Sequence, residues 1–305
     1  MRTPRSARLA LGALLLMTVA SVRLAAAEDT VTIGVYTPSA PFNGPVARLE
    51  YASKLAAQIG PALGRKGVGK AFARAADLSA AIKRGELEYA VLDGPYLAAL
   101  GVPYKVLGAA QRGGASEVAW EVVTTLPAKN LADLAGKTVV LPEVGGKSDD
   151  FVMRVLMEGE LPANHFGKVI QAPDALSALA ALGHGRAEVA LVPASLPLPA
   201  GARRLLTLGL VPWPALVALP SARPEDLDKV ASAGAKAGGE VLSGFDRGNA
   251  DAYRSLARRF GRSARRGPLA VPPQRLAVGD LLVQRNFTIV RREISALLPD
   301  PSAGD

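Results

Sequence analysis

Short apolar runs and longer helical stretches alternate along most of this chain. The run VTIGVY (Val31 to Tyr36) predicts a strand, and a helix is expected from about Gly44 to Gly60. KAFARA predicts a short strand, and DLSAAIKRG a helix opened by Asp77 and closed by Gly85. EYAVLD (Glu88 to Asp93) reads as the third strand. A new group starts at EVAWEVVTT and passes through NLADLAG, a short helix capped by Asn130 and ended by Gly136, into the strand KTVVLPE. The loop LPEVGGKSDDF (residues 141 to 151) and its helix come next, then the strand KVIQAP, the helix DALSALAALGHG and the strand EVALVPA. RRLLTLGLVPWPALVALPS predicts a strand that returns through Pro212 and Pro214. A helix starts at Pro224, a good first-turn residue, and two more are expected near residues 250–260 and 278–298. Strands alternating with helices in this way predict an α/β protein with mainly parallel sheets.

One internal comparison points to two similarly built halves. GELEYAVLD from Gly85 and GRAEVALVP from Gly185 share Gly85 with Gly185, Glu88 with Glu188 and Ala90 with Ala190. In each, a helix ends in glycine and an apolar strand follows. Gly113-Gly114 and Val211 to Pro214 are the expected crossings between the halves. The expected organisation is a leader over 1–27, a first lobe over 28–112, a second over 113–211, and a return to the first lobe over 212–305. Two α/β lobes joined by crossing strands leave a central cleft, where ligands prefer to sit.

The ends and the composition narrow the setting. Arg2, Arg5 and Arg8 precede an apolar run from Leu9 to Ala20, and Ala25-Ala26-Ala27 follows. This is the pattern of a secretory signal peptide, with cleavage expected after Ala27. The apolar run falls short of the roughly 20 residues that span a bilayer. The absence of cysteine rules out disulfides and the lipid-anchored class of exported protein. A periplasmic protein, not a lipoprotein, is expected. The leader carries four arginines and no acids, so the +9 chain falls to +5 after cleavage. That modest excess suits an anionic ligand without requiring one. Its densest patch, RSLARRFGRSARRG, has Phe260 as its sole aromatic and reads as a solvated helix face, so no nucleic-acid partner is expected.

Motifs for catalysis and nucleotides are missing. The loop at 141–151 resembles a phosphate loop, but Leu141 stands where the first glycine is required. GRKGVGKA has the glycine spacing and ends in Ala71, which cannot ligate magnesium. The two histidines, His165 and His184, have no metal-ligand spacing, and neither Gly-x-Ser-x-Gly nor Ser-x-x-Lys occurs. No enzyme, cofactor or metal is expected.

Taken in order, VTIGVYTP, ADLSAAIKRGELEYAVLDGPYL, NLADLAGKTVVLPE, APDALSALAALGHGRAEVALVPAS and GLVPWPALVALPS cover most of residues 31 to 221. In that order and spacing they resemble the phosphate/phosphite/phosphonate-binding proteins of ABC transporters. The resemblance implies a two-lobed, type 2 periplasmic-binding-protein-like α/β fold with a central cleft. It also implies capture of a small anionic solute and delivery to an inner-membrane ABC permease, by a chain expected to be monomeric. The alternatives are a ligand-sensing module for a membrane receptor and, in a different class, a periplasmic hydrolase. Phosphonate-binding members usually carry a Ser-Thr-Ser-Gly-like run where this chain has Gly145, Gly146, Lys147 and Ser148. That departure leaves phosphonate specificity open.

The candidate ligand-binding residues are those four with the strand-end residues Tyr36, Thr37, Ser39, Asn43, Asp93, Tyr96, Glu143 and Ser195. Each has a plain structural reading beside the functional one. Ser148 also suits a helix cap with Asp149 and Asp150 in its first turn, and Ser39 and Asn43 suit turn and cap positions. Tyr36 and Tyr96 form either a cleft wall or ordinary half-buried strand ends. Asp93 either receives a ligand amine or initiates the turn at Gly94-Pro95.

Overall fold

The structure, a computed structural model, describes residues 29–261 apart from Ser195. The chain divides into a unit of residues 1–264 and a second of residues 265–305, and everything described here belongs to the first. The expected leader and the helix expected near 278–298 lie outside the described residues.

Strand β1 (Thr30–Tyr36) sends Val31, Ile33 and Val35 into one apolar layer and Tyr36 into another. A strand apolar on both faces belongs inside a parallel sheet covered on both sides. Helix α1 (Gly44–Ile59) has Pro45 in its first turn and buries Arg48, Tyr51, Ala52, Leu55, Ala56 and Ile59, the three-and-four spacing of one helical face. Strand β2 is Lys66–Ala71, earlier than the KAFARA strand expected from the sequence. The shift has a packing cause. A Cβ on Gly67 would lie 1.9 Å from the Ala56 carbonyl oxygen, and one on Gly69 2.3 Å from the Ala52 backbone. These glycines let α1 lie directly on β2, so a run that reads as a glycine loop is a strand.

Helix α2 (Ala75–Lys83) is preceded by Arg74, so Asp77 sits in its first turn and does not open it. Strand β3 (Tyr89–Leu92), helix α3 (Gly94–Ala99) and strand β4 (Lys105–Ala110) complete the first run. The chain crosses at residues 111–116 into β5 (Glu117–Thr124). NLADLAG forms a 3-10 turn, Leu131–Leu134, closed by a reciprocal Asn130–Asp133 capping box. Then come β6 (Thr138–Pro142), the three-residue α4 (Ser148–Asp150) continued by a π-helical turn (Phe151–Leu156), β7 (Lys168–Ala172), α5 (Ala175–Gly183) and β8 (Val189–Pro193). The long return strand is two strands, β9 (Arg203–Pro212) and β10 (Ala215–Ala218), in different sheets. Helix α6 (Leu227–Lys236), the short strand β11 (Phe245–Asp246) and helix α7 (Ala250–Gly261) end the described chain.

The two sheets have the same plan. One runs β2-β1-β3-β10-β4 with β11 added at the far edge, the other β7-β6-β8-β5-β9. In each, the first three strands are parallel and the fourth, a strand arriving from a crossing, is antiparallel. The aligned Gly85 and Gly185 stretches occupy equivalent places and end their helices by the same bonds. Gly85 N–H donates to the Ile82 carbonyl and Glu86 N–H to Ala81, while Gly185 and Arg186 donate to Leu182 and Ala181. This is the Schellman helix end, formed twice. Each sheet then has apolar layers on both faces.

Candidate ligand-binding site

The carboxyl ends of β1 and β3 place the first group of predicted residues. Tyr36 and Thr37 are fully buried; the Tyr36 hydroxyl faces the Glu143 carboxylate, and the Thr37 Oγ1 has no hydrogen-bond partner among the described residues. Ser39 donates to Asp93 twice, from its backbone N–H to Oδ2 at 2.6 Å and from Oγ to Oδ1 at 2.9 Å. Asp93, 1% exposed, makes no side-chain cap to α3 and instead fastens the loop between β1 and α1. Burial raises the Asp93 carboxyl to about 7, against the opposing pull of the two Ser39 bonds and the charge of Arg48. Tyr96, on α3, meets Tyr36 edge-on with ring centroids 5.0 Å apart, and its hydroxyl is 2.9 Å from Ser79 Oγ. Burial and the neighbouring Glu143 and Asp93 carboxylates push the Tyr36 hydroxyl well above the usual phenol range. Tyr96 shifts the same way, chiefly by burial.

The second sheet supplies Glu143 and Gly145. Glu143, half-buried after β6, donates its N–H to the Ala172 carbonyl and turns its charge toward Tyr36 and Tyr96. Gly145 has φ +76°, and a Cβ there would stand 2.6 Å from Tyr96 Cδ2. Only glycine combines that left-handed backbone with such close approach to a ring from the other sheet. The structure thus gathers Tyr36, Thr37, Ser39, Asp93, Tyr96, Glu143 and Gly145. Asn43, Gly146 and Lys147 are exposed, and Ser148 accepts a hydrogen bond from the exposed Gln171 at 3.0 Å. The residue preceding α4 is Lys147, so Ser148 is not its cap. Ser195 lies outside the described residues.

Two residues that sequence reasoning missed tie the halves together. Arg48, 4% exposed, directs Nη2 to Asp174 Oδ2 at 3.4 Å, while Asp174 Oδ1 caps α5 through the Ser177 N–H at 2.8 Å. Beside them the Ala175 N–H donates to the Pro38 carbonyl at 2.9 Å. A signal was present in the sequence: Arg48 begins the row Arg48, Tyr51/Ala52, Leu55/Ala56, Ile59, where every other member is apolar. A cation at the head of a buried helical stripe marks a site or a buried pair. A surface groove of about 680 Å³ between α1 and α6, lined by residues including Gln58, Asp228, Lys229 and Lys236, holds none of the predicted residues.

No protein-family model matches the chain, and no curated protein does. Solved structures do. XAC2383 from Xanthomonas citri, bound to chloride ion, matches with a TM-score of 0.62 at 15% identity, covering 76% of this chain and 98% of that one. PhnD1 from Prochlorococcus marinus, in complex with methylphosphonate, gives 0.58 at 11% identity over 77% of this chain and 99% of its own. A binding protein component of an ABC phosphonate transporter from Pseudomonas aeruginosa gives 0.57 at 11% identity, over 88% and 99%. The chain has the type 2 periplasmic-binding-protein fold. In a binding-protein fold of two such sheets, the gathered residues stand at strand ends where the halves meet, the place where open α/β sheets accept ligands. Among the described residues no cluster of three acidic or histidine side chains is placed to hold a metal ion, and no helix is long and apolar enough to cross a membrane.

Proposed function

We propose that the exported chain, cleaved after Ala27, is the solute-binding component of an ABC importer. It captures a small anionic solute between the two halves built on the two sheets. One observation carries the reading. Thr37 Oγ1 and Arg48 Nε are buried where the two halves meet and have no hydrogen-bond partner among the described residues, and the Tyr36 hydroxyl beside them faces the Glu143 carboxylate of the other half. A buried donor left unpaired costs about 1–3 kcal/mol, and a solute with acceptor oxygens removes that cost. The names of the structural neighbours, which include phosphonate-transporter binding proteins, support the same class. On this reading the protein is a monomer without catalytic activity, and its macromolecular partner is an inner-membrane permease.

A thermal-shift screen of residues 28–305 tests it, with phosphate, methylphosphonate, alkylsulfonates, small carboxylates and amino acids as probes. A probe at about a hundred times its dissociation constant adds roughly 2.7 kcal/mol. For a chain of this size that is about 5 °C or more. A clear shift with one class establishes solute binding. A flat response to all of them, or turnover of any probe, defeats the proposal.

A further inference from the structure

We propose that Arg48, and not the Gly145–Ser148 loop, seats the anionic group of the solute, and that the seat accepts a singly charged oxyanion in preference to a dianion. The inference rests on the solute-binding reading above and names the residue and charge class within it.

The first argument is the position of the guanidinium. Arg48 lies on the face of α1 that otherwise buries Tyr51, Ala52, Leu55, Ala56 and Ile59, where an aliphatic side chain would satisfy packing. A guanidinium has five N–H donors in a planar fork, and buried charge is tolerated when those donors are used. Here the one partner among the described residues is Asp174 at 3.4 Å, and Nε is buried with none. Thr37 Oγ1, also buried and unpartnered, and Tyr36, whose hydroxyl faces Glu143, stand on the same stretch of chain, just before the loop that leads into α1. Asp93 links the parts, because its charge acts on both Tyr36 and Arg48.

The second argument is what the glycine loop does not offer. Lys147 is exposed, Ser148 is engaged by Gln171, and Gly145 packs on Tyr96. The loop supplies shape to the cluster, while its hydroxyl is already engaged and its lysine is exposed.

The charges around Arg48 select against a dianion. Arg48 is one cation acting on two carboxylates, Asp174 and Asp93, with Glu143 facing the neighbouring Tyr36. Each further uncompensated charge brought into a buried site is costly, so a group bearing two negative charges is opposed more strongly than one bearing a single charge. A carboxylate or sulfonate fits the guanidinium fork through two parallel bonds. The two sources of a single charge are separated by the probes below.

The test compares acetate, methanesulfonate and methylphosphonate by thermal shift and calorimetry on residues 28–305, at about pH 9, above the second ionisation of an alkylphosphonate, which lies higher than that of a phosphate ester. The expected result is tighter binding of acetate or methanesulfonate than of methylphosphonate, with Arg48→Met weakening it at least tenfold. Arg48→Lys keeps a charge while losing the fork. It serves as the second variant should Arg48→Met not fold, with a loss of at least threefold expected. Asp174→Asn separates a seat from a mere latch. Removing the competing carboxylate leaves affinity unchanged or raised if Arg48 holds the anion, and lowers it as much as the Arg48 variants if the pair only ties the halves together. Tighter binding of methylphosphonate, equal losses in the Arg48 and Asp174 variants, or a tenfold loss in Lys147→Ala with Arg48→Met silent each overturn the proposal. So does the absence of any anion response when another solute binds in the wider screen. Absence of every response defeats the solute-binding reading itself.

Discussion

Asp93 shows how a single buried acid ties local structure to pH. Its carboxyl, raised to about 7 by burial, accepts both Ser39 bonds and so fixes the loop after β1. In the unfolded chain the same group titrates near 3.8, the ordinary value for an aspartate. Between these values the folded protein holds a proton that the unfolded chain releases. The associated stability is fully present below about pH 4 and is lost as pH rises through 7. Asp93→Asn keeps an acceptor for the Ser39 N–H and a donor for its hydroxyl, and it cannot ionise. The expected outcome is a gap in melting temperature that favours the variant at pH 8 and closes progressively toward pH 4. Its full extent is equivalent to a few kcal/mol. Titrations of other groups are common to both proteins and cancel in the difference. Parallel curves for the two proteins across this range would show that Asp93 is solvated or carries no strain.

At the level of the element, the loop between β6 and α4 has two glycines with different reasons for being glycine. Gly145 has φ +76° and no room for a Cβ against Tyr96, whereas Gly146 has φ +85° and open space. Gly146→Ala is expected to cost about 1 kcal/mol, the conformational penalty alone. Gly145→Ala adds a clash with a ring from the other sheet, so chemical denaturation should show a loss at least twice as large. Equal losses would mean that the Tyr96 contact is not maintained in solution. The same loop marks how far the sequence is legible. Helix ends, strand cores and the repeated Gly85 and Gly185 stretches are readable because capping and burial are local. The shift of β2 is not, because Gly67 and Gly69 read as loop residues until α1 lies on them. The strand ends around Tyr36, Asp93 and Glu143 are found from topology alone, since strand ends in this fold converge. Arg48 and Asp174 escape because their pairing joins a helix of one half to a helix cap of the other, and only the break in the apolar row of α1 hints at it.

Across the whole molecule, the two halves are joined by more than their crossings. At the crossings, Trp213 N–H donates to the Ser116 carbonyl and Ala110 N–H to the Pro214 carbonyl, so the two connections lie side by side. Helix α7 packs over them. Its buried face, Tyr253, Leu256 and Phe260, is spaced at three and four, and the Tyr253 hydroxyl donates to the Trp213 carbonyl at 2.6 Å. Tyr253 belongs to an apolar layer of the first sheet, while Leu256 and Phe260 belong to one of the second. Leu256 also lies 3.3 Å from where a Cβ on Gly94 of the first sheet's α3 would stand. A side chain shared by two cores couples their unfolding, because neither core can open without losing it. Leu256→Ala removes buried volume at that junction, which costs about 2–5 kcal/mol. The expected calorimetric result is one transition for both proteins, lower in the variant by about 5 °C or more. Two separated transitions, with the variant moving just one of them, would show that the halves unfold independently and that α7 belongs to a single core.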